Sequence, residues 1–131
     1  MESPKLIPSL EAEKPSVLVV EDEFLVRYNL ADELRETGFK VVEAHSADEA
    51  WKYLTTGGHA DLIFSDVQTP GAMNGVELAQ KVRERFPGIP LILTSGNVDP
   101  QAIGGIVPFV NKPYRVGNVI ALIHQTLKKR P

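Results

Sequence analysis

The sequence predicts an α/β fold: a doubly wound, parallel five-stranded sheet with helices covering both faces. Two observations lead there. Short runs of β-branched and apolar residues recur without polar alternation, as strands buried on both faces require. Segments with apolar residues at helical spacing lie between them, and strands alternating with helices imply a parallel sheet.

The first run is "SVLVV" at 16–20. A helix follows with Val26, Leu30 and Leu34 on one face, stopped at Gly38. "KVVEA" at 40–44 is the second strand. Ser46 opens the next helix as a capping box with Glu49, and Ala47, Ala50, Trp51 and Leu54 form its inner face before Gly57 and Gly58. "DLIFS" at 61–65 is the third strand, and residues 76–86 form a helix packed through Leu78, Ala79, Val82 and Phe86. "PLILTS" at 90–95 and "VPFVN" at 107–111 are the last two strands. The final helix carries Val116, Val119, Ile120, Ile123 and Leu127 as one apolar stripe.

A chain of 131 residues corresponds to about one domain. Residues 1–15, with three prolines and no sustained period, read as a flexible leader before a domain spanning 16–131. No apolar run reaches the ~20 residues of a membrane span, and no secretory signal opens the chain, so a cytoplasmic protein is expected. The absence of cysteine excludes disulfides, thiolate catalysis and cysteine-based zinc sites. A net charge of −3 gives no general attraction to nucleic acid, so direct DNA binding is not expected. Lys128, Lys129 and Arg130 suit the C-terminus of a helix rather than a phosphate backbone.

In parallel sheets, ligands bind beyond the carboxyl ends of the strands. Strand one ends in Glu21-Asp22-Glu23, strand three in Asp66, strand four in Thr94-Ser95 and strand five in Asn111-Lys112-Pro113. Each has an ordinary structural explanation by itself: a helix cap, an Asx turn, turn chemistry, a solvated lysine. Together they place three acids, two hydroxyls and one lysine on one edge. Clustered carboxylates repel unless a cation compensates, and an oxygen-only set suits Mg²⁺ or Mn²⁺. With the lysine added, the edge is prepared for a phosphoryl group.

The ordered set "VLVVEDE", "DLIFSDVQTPG…NG", "LILTSG" and "FVNKPY" resembles the response-regulator receiver domain of bacterial two-component signalling, from residue 16 to about 128. The resemblance implies a flavodoxin-like receiver fold with strand order 2-1-3-4-5. It implies that Asp66 accepts a phosphoryl group from a histidine kinase. Asp22 would ligate Mg²⁺ directly and Glu21 through water, with Asp66 and the main-chain carbonyl of Gln68 completing the metal set. Thr94 and the adjacent Ser95 would meet the phosphoryl oxygens, Lys112 would pair with them, and Phe109 would be the aromatic switch. Lys112-Pro113 would be a cis peptide. The implied partners are a sensor or hybrid histidine kinase or a phosphotransfer protein, a downstream protein target, and a second copy in a homodimer.

Three features depart from the family pattern. Glu21 stands where aspartate is commoner. The turn "PGAMNG" is one residue longer, with Asn74 in place of an acid. Finally, "GNVDPQAIGGIVP" at 96–108 holds Pro100, Gly104, Gly105 and Pro108, which predicts a shortened or irregular fourth helix.

A stand-alone receiver is expected because no output domain follows Pro131, with a fragment of a larger regulator or hybrid kinase as the alternative. A metal-dependent phosphatase forming its own phospho-aspartate is disfavoured, because such enzymes place an acid two residues after the nucleophile and Gln68 stands there. A flavin or nucleotide binder is disfavoured by the missing glycine-rich phosphate loop. Retention of Glu21, Asp22, Asp66, Thr94 and Lys112 argues against a receiver that has lost phosphorylation.

Overall fold

The centre of the molecule is built from three strands in which every residue is buried: β1 (Ser16–Val20), β3 (Leu62–Asp66) and β4 (Leu91–Ser95). The computed structural model describes residues 14–97 and 107–129. Most of the expected leader (residues 1–13) and most of the segment expected to hold the irregular fourth helix (residues 98–106) lie outside that range.

β2 (Lys40–Ala44) and β5 (Phe109–Asn111) complete one parallel sheet in the order β2-β1-β3-β4-β5. The two outer strands are only partly buried, although all five were expected to be covered on both faces. An edge strand has a neighbour on one side only, so solvent reaches its margin. Among the described residues four helices cover the sheet: α1 (Phe24–Glu36), α2 (Ala47–Thr55), α3 (Gly75–Arg85) and α4 (Val116–Lys128).

The twofold alternation of strand side chains divides the core into two layers. Leu18, Ile63, Leu91 and Leu93 point to one face, against Ala50 and Leu54 of α2 and Leu78 and Val82 of α3. Val17, Val19, Leu62, Phe64 and Ile92 point to the other, against Leu30 and Leu34 of α1 and Val119 and Ile123 of α4. Burying each large aliphatic side chain contributes about 1.5–3 kcal/mol, which makes these two seams the main source of stability. Val26, expected on the inner face of α1, is half-buried, whereas Leu30, Ala31 and Leu34 are fully enclosed.

Local chemistry sets the helix ends. Gly38 closes α1 with φ of +99°, a conformation that side-chain-bearing residues rarely adopt. Ser46 caps α2 by accepting from the Glu49 amide at 3.1 Å. The reciprocal half of that box does not form: the Glu49 carboxylate accepts from the His45 amide at 2.8 Å instead of from Ser46. The complete capping box lies at α3, where Asn74 and Glu77 exchange bonds of 2.8 and 2.9 Å. Helix α3 accordingly begins at Gly75 and ends at Arg85, shifted by one residue from the expected 76–86.

Candidate functional site

The alternation that builds the core also assembles the site. Val19, Phe64, Ile92 and Val110 all face the layer covered by α1 and α4. Two residues further along each chain stand Glu21, Asp66, Thr94 and Lys112. Asp66 and Thr94 are register partners on adjacent strands, so their backbones are held side by side.

Lys112 closes the cluster. Its Nζ donates to Glu21 Oε1 and to Asp66 Oδ2, each at 2.8 Å. Glu21 and Asp66 are 4% and 7% exposed, so this one ammonium serves two largely desolvated carboxylates. Burial disfavours the charged lysine, but hydrogen bonds to both acids outweigh it and hold its pKa above the ordinary lysine range. Burial likewise pushes the Asp66 carboxyl above its usual value, and the neighbouring Glu21 charge adds to this, against the downward pull of Lys112. One ammonium is thereby shared between two carboxylates. The Lys112–Pro113 peptide is cis.

Further residues complete the surroundings. The Gln68 amide donates to Asp66 Oδ1 at 3.3 Å, and its side-chain Oε1 accepts from Ser95 Oγ at 3.2 Å. Ser95 Oγ also accepts from the Asn97 amide at 3.1 Å, so this hydroxyl is engaged with the loop beside Asp66. Among the described residues Thr94 Oγ1 is buried without a hydrogen-bond partner. A buried orphan hydroxyl costs about 1–3 kcal/mol. Phe109 is the register partner of Leu93 and packs into the layer of α2 and α3, on the face away from Asp66 and Thr94. Asp22 is exposed and makes no hydrogen bond to the described residues.

Sequence reasoning assigned no role to Tyr114, Gly75 or Arg27. The Tyr114 ring meets Phe64 edge-on at 5.7 Å, and burial, helped by the Glu21 charge, pushes its phenol up to about 12. Gly75 lies against the main chain of Asp66 and Val67, where any Cβ would collide with backbone atoms, and its amide donates to the Val67 carbonyl at 2.7 Å. Arg27 donates to the main-chain carbonyl of Glu21 at 2.9 Å. The asparagine–glycine pair before an apolar run was a visible signal for the cap; the arginine had none.

Among the described residues no three acidic or histidine side chains converge tightly enough to enclose a metal ion by themselves. The donors nevertheless suit one class of cation. Two carboxylates compete for one ammonium, a third is free and exposed, and every side-chain donor is oxygen. Mg²⁺ typically retains several waters and takes only one or two carboxylates, so an open, incomplete oxygen set fits it.

Comparison with known proteins gives the site its class. Residues 17–124 match the family described as the response regulator receiver domain. The chain belongs to that family. Receiver domains are signalling phosphoacceptors of two-component systems, found in response regulators and hybrid kinases, and are generally Mg²⁺-dependent. The two-component response regulator PhoP of Pseudomonas aeruginosa is 35% identical over 118 residues, covering 86% of this chain and 52% of that protein. The C4-dicarboxylate transport transcriptional regulatory protein DctD of Rhizobium meliloti is 31% identical, and sensor kinase CckA of Brucella abortus is 32% identical. The chain spans only 26% and 13% of those two proteins.

Solved structures agree. A response regulator receiver protein from Sinorhizobium medicae superposes with a TM-score of 0.84 at 24% identity, over 92% of this chain and 99% of the other. The receiver domain of hybrid histidine kinase CckA superposes with a TM-score of 0.71 at 33% identity, over 86% and 98%. No described helix is long and apolar enough to cross a membrane.

Proposed function

We propose that the domain formed by residues 16–131 accepts a phosphoryl group on Asp66 and passes the signal on through a changed surface. One observation carries this reading: Lys112 Nζ bridges Asp66 and Glu21 at 2.8 Å while the adjacent Thr94 hydroxyl is buried and unpaired. The lysine and the orphan donor are two of the groups that a phosphoryl oxygen on Asp66 would engage.

A carboxylate oxygen of Asp66 attacks phosphorus, a P–O bond forms, and the P–N bond of a partner's phosphohistidine breaks. The electron pair leaves with the imidazole, which takes up a proton. Two anions must meet for this to occur, so positive charge at the site is needed. Lys112 supplies one charge from within the chain. Asp22, Glu21, Asp66 and the main-chain carbonyl of Gln68 are the residues that would hold Mg²⁺, or Mn²⁺ in its place. When bound, such an ion offsets charge on the phosphoryl oxygens.

The unpaired Thr94 hydroxyl then has an acceptor, and a shift of β4 toward Asp66 alters the segment that follows it. Phe109 lies on the opposite face, so any response of its ring passes through β4 rather than through direct contact with the phosphoryl group. A kinase or phosphotransfer protein would approach over α1 and the β5–α4 connection. Phe24, Leu25 and Tyr28 are exposed there, beside a cleft of about 390 Å³ lined by Val26, Pro113, Tyr114 and Val116. The proposed setting is cytoplasmic, with a protein target downstream, no direct DNA contact, and a homodimer as one form of the switched state. The same site would serve a receiver set within a longer hybrid kinase, a reading favoured by the similarity to CckA.

The test is incubation with Mg²⁺ and acetyl phosphate or beryllofluoride, compared with Asp66→Asn. The expected result is a gain of one phosphoryl mass, or a beryllofluoride-induced spectral change, in the wild type alone. A wild-type protein that shows no Mg²⁺-dependent change overturns the mechanism.

A further inference from the structure

We infer that Arg27 is a positioning residue that orients the Asp22 carboxylate for a divalent cation, and that Glu43 and Arg35 hold it in that role. The inference rests on the reading of Asp22 as a metal ligand and extends it to residues outside the strand-end cluster.

Asp22 presents a problem of placement. Its carboxylate is exposed and no hydrogen bond to the described residues aims it. Peptide units are planar, which leaves only two soft torsions to set the direction of a residue's Cβ. For Asp22, one torsion depends on the Glu21–Asp22 peptide and the other on the Asp22–Glu23 peptide.

Both planes are gripped. The carbonyl of the Glu21–Asp22 peptide accepts from Arg27 Nη1 at 2.9 Å. The amide of the Asp22–Glu23 peptide donates to Glu21 Oε2 at 3.0 Å. Glu21 is itself anchored through Oε1 to Lys112 at 2.8 Å. Asp22 is thus fixed through its backbone, while its carboxylate stays available.

Arg27 could not do this if its own side chain wandered. Its Nε donates to Glu43 Oε1 at 3.0 Å, and Arg35 Nη2 occupies the second oxygen of Glu43, also at 3.0 Å. Glu43 stands in β2 as the register partner of Val19, on the face that α1 covers. The Arg27 side chain is 16% exposed and that of Glu43 25%, so the pair is partly shielded from water. A chain of contacts therefore runs from α1 and β2 to the acidic turn: Arg35 to Glu43 to Arg27 to the Glu21 carbonyl. Such supports behind a ligand commonly change metal affinity by about 10–100-fold when removed.

The sign of the effect separates positioning from charge. Arg27 is a cation beside an acidic turn, so by Coulomb's law alone its removal should tighten divalent-cation binding. Loss of orientation should weaken it.

The test is calorimetric titration of Mg²⁺ into the wild type, Arg27→Gln, the charge-balanced pair Arg27→Gln with Glu43→Gln, and Asp22→Asn alone and combined with Arg27→Gln. Thermal denaturation without metal reports folding. The expected result is about tenfold weaker Mg²⁺ binding for Arg27→Gln and for the charge-balanced pair. Asp22→Asn should then add less to Arg27→Gln than to the wild type, because the two changes disable the same ligand. Unchanged or tighter binding in both Arg27 variants, with Asp22→Asn still weakening the wild type, overturns the positioning role alone. If Asp22→Asn leaves Mg²⁺ binding unchanged, the assignment of Asp22 as a ligand falls, and the inference with it. Should the Arg27 variants fail to fold, Arg35→Gln takes their place. Its expected effect is about twofold weakening, and wild-type affinity there counts against the proposal.

Discussion

Lys112 Nζ and Asp66 Oδ2 stand 2.8 Å apart across two strands that are not neighbours, since β4 lies between them. The lysine follows the last strand of the sheet and reaches over Thr94 to the acid, then to Glu21 at the end of β1. One side chain thereby links the carboxyl ends of β1 and β3 to that of β5. Its removal should affect both folding and chemistry.

Lys112→Met leaves Asp66 and Glu21 buried without their shared cation. Breaking a fully buried pair costs about 3–5 kcal/mol. The Lys112 side chain is 23% exposed, so a loss of about 2 kcal/mol is expected here. Mg²⁺ should raise the melting temperature of the variant more than that of the wild type, because the ion replaces the missing charge. Phosphorylation by acetyl phosphate should slow at least tenfold. Equal Mg²⁺ responses in the two proteins would argue that Lys112 does not neutralise the site.

Thr94→Val removes the hydroxyl that lacks a partner while nearly conserving shape. The unphosphorylated variant should gain about 1 kcal/mol, a rise of a few degrees in melting temperature. Phosphorylation of Asp66 should persist, but the beryllofluoride-induced changes in the amide spectrum beyond β4 should be lost. A variant less stable than the wild type, with its spectral response intact, would show that this hydroxyl is not held in reserve.

Glu49 offers a dependence on pH. Its pKa is lowered chiefly by the hydrogen bond from the His45 amide, with the His45 side chain assisting. A carboxyl whose folded value lies below its unfolded value of 4.5 stabilises the fold at pH above 4.5. That contribution declines as pH falls through the lowered folded value. Urea denaturation of the wild type and Glu49→Gln should therefore show a difference that is present above pH 4.5 and shrinks as pH falls below it. A difference that widens as pH falls below 4.5 contradicts this linkage.

Strand identities were legible because the three central strands are buried on both faces, and burial writes continuous apolar runs into "SVLVV", "LIF" and "LIL". The ends were less so. Glu49 reads as the second half of a capping box, yet its carboxylate reaches His45, while the complete box forms at Asn74 and Glu77. Both patterns satisfy the same spacing, and only the course of the preceding chain decides which amide lies within reach. The resemblance implies Phe109 as an aromatic switch, but only strand parity sets its ring on the opposite face from Thr94.

By itself the sequence determined the order of elements, the parallel sheet, and the edge on which Glu21, Asp22, Asp66, Thr94 and Lys112 would meet. Periodicity and strand order suffice for that, because a parallel sheet brings all its carboxyl ends to one side. The tertiary structure decided which of those groups touch. It placed one ammonium between two buried acids, left the Thr94 hydroxyl without a partner among the described residues, and brought Arg27 onto the Glu21 carbonyl beside the exposed Asp22. Such outcomes turn on distances of a few tenths of an ångström between residues as many as 91 positions apart in the chain. No local pattern encodes them.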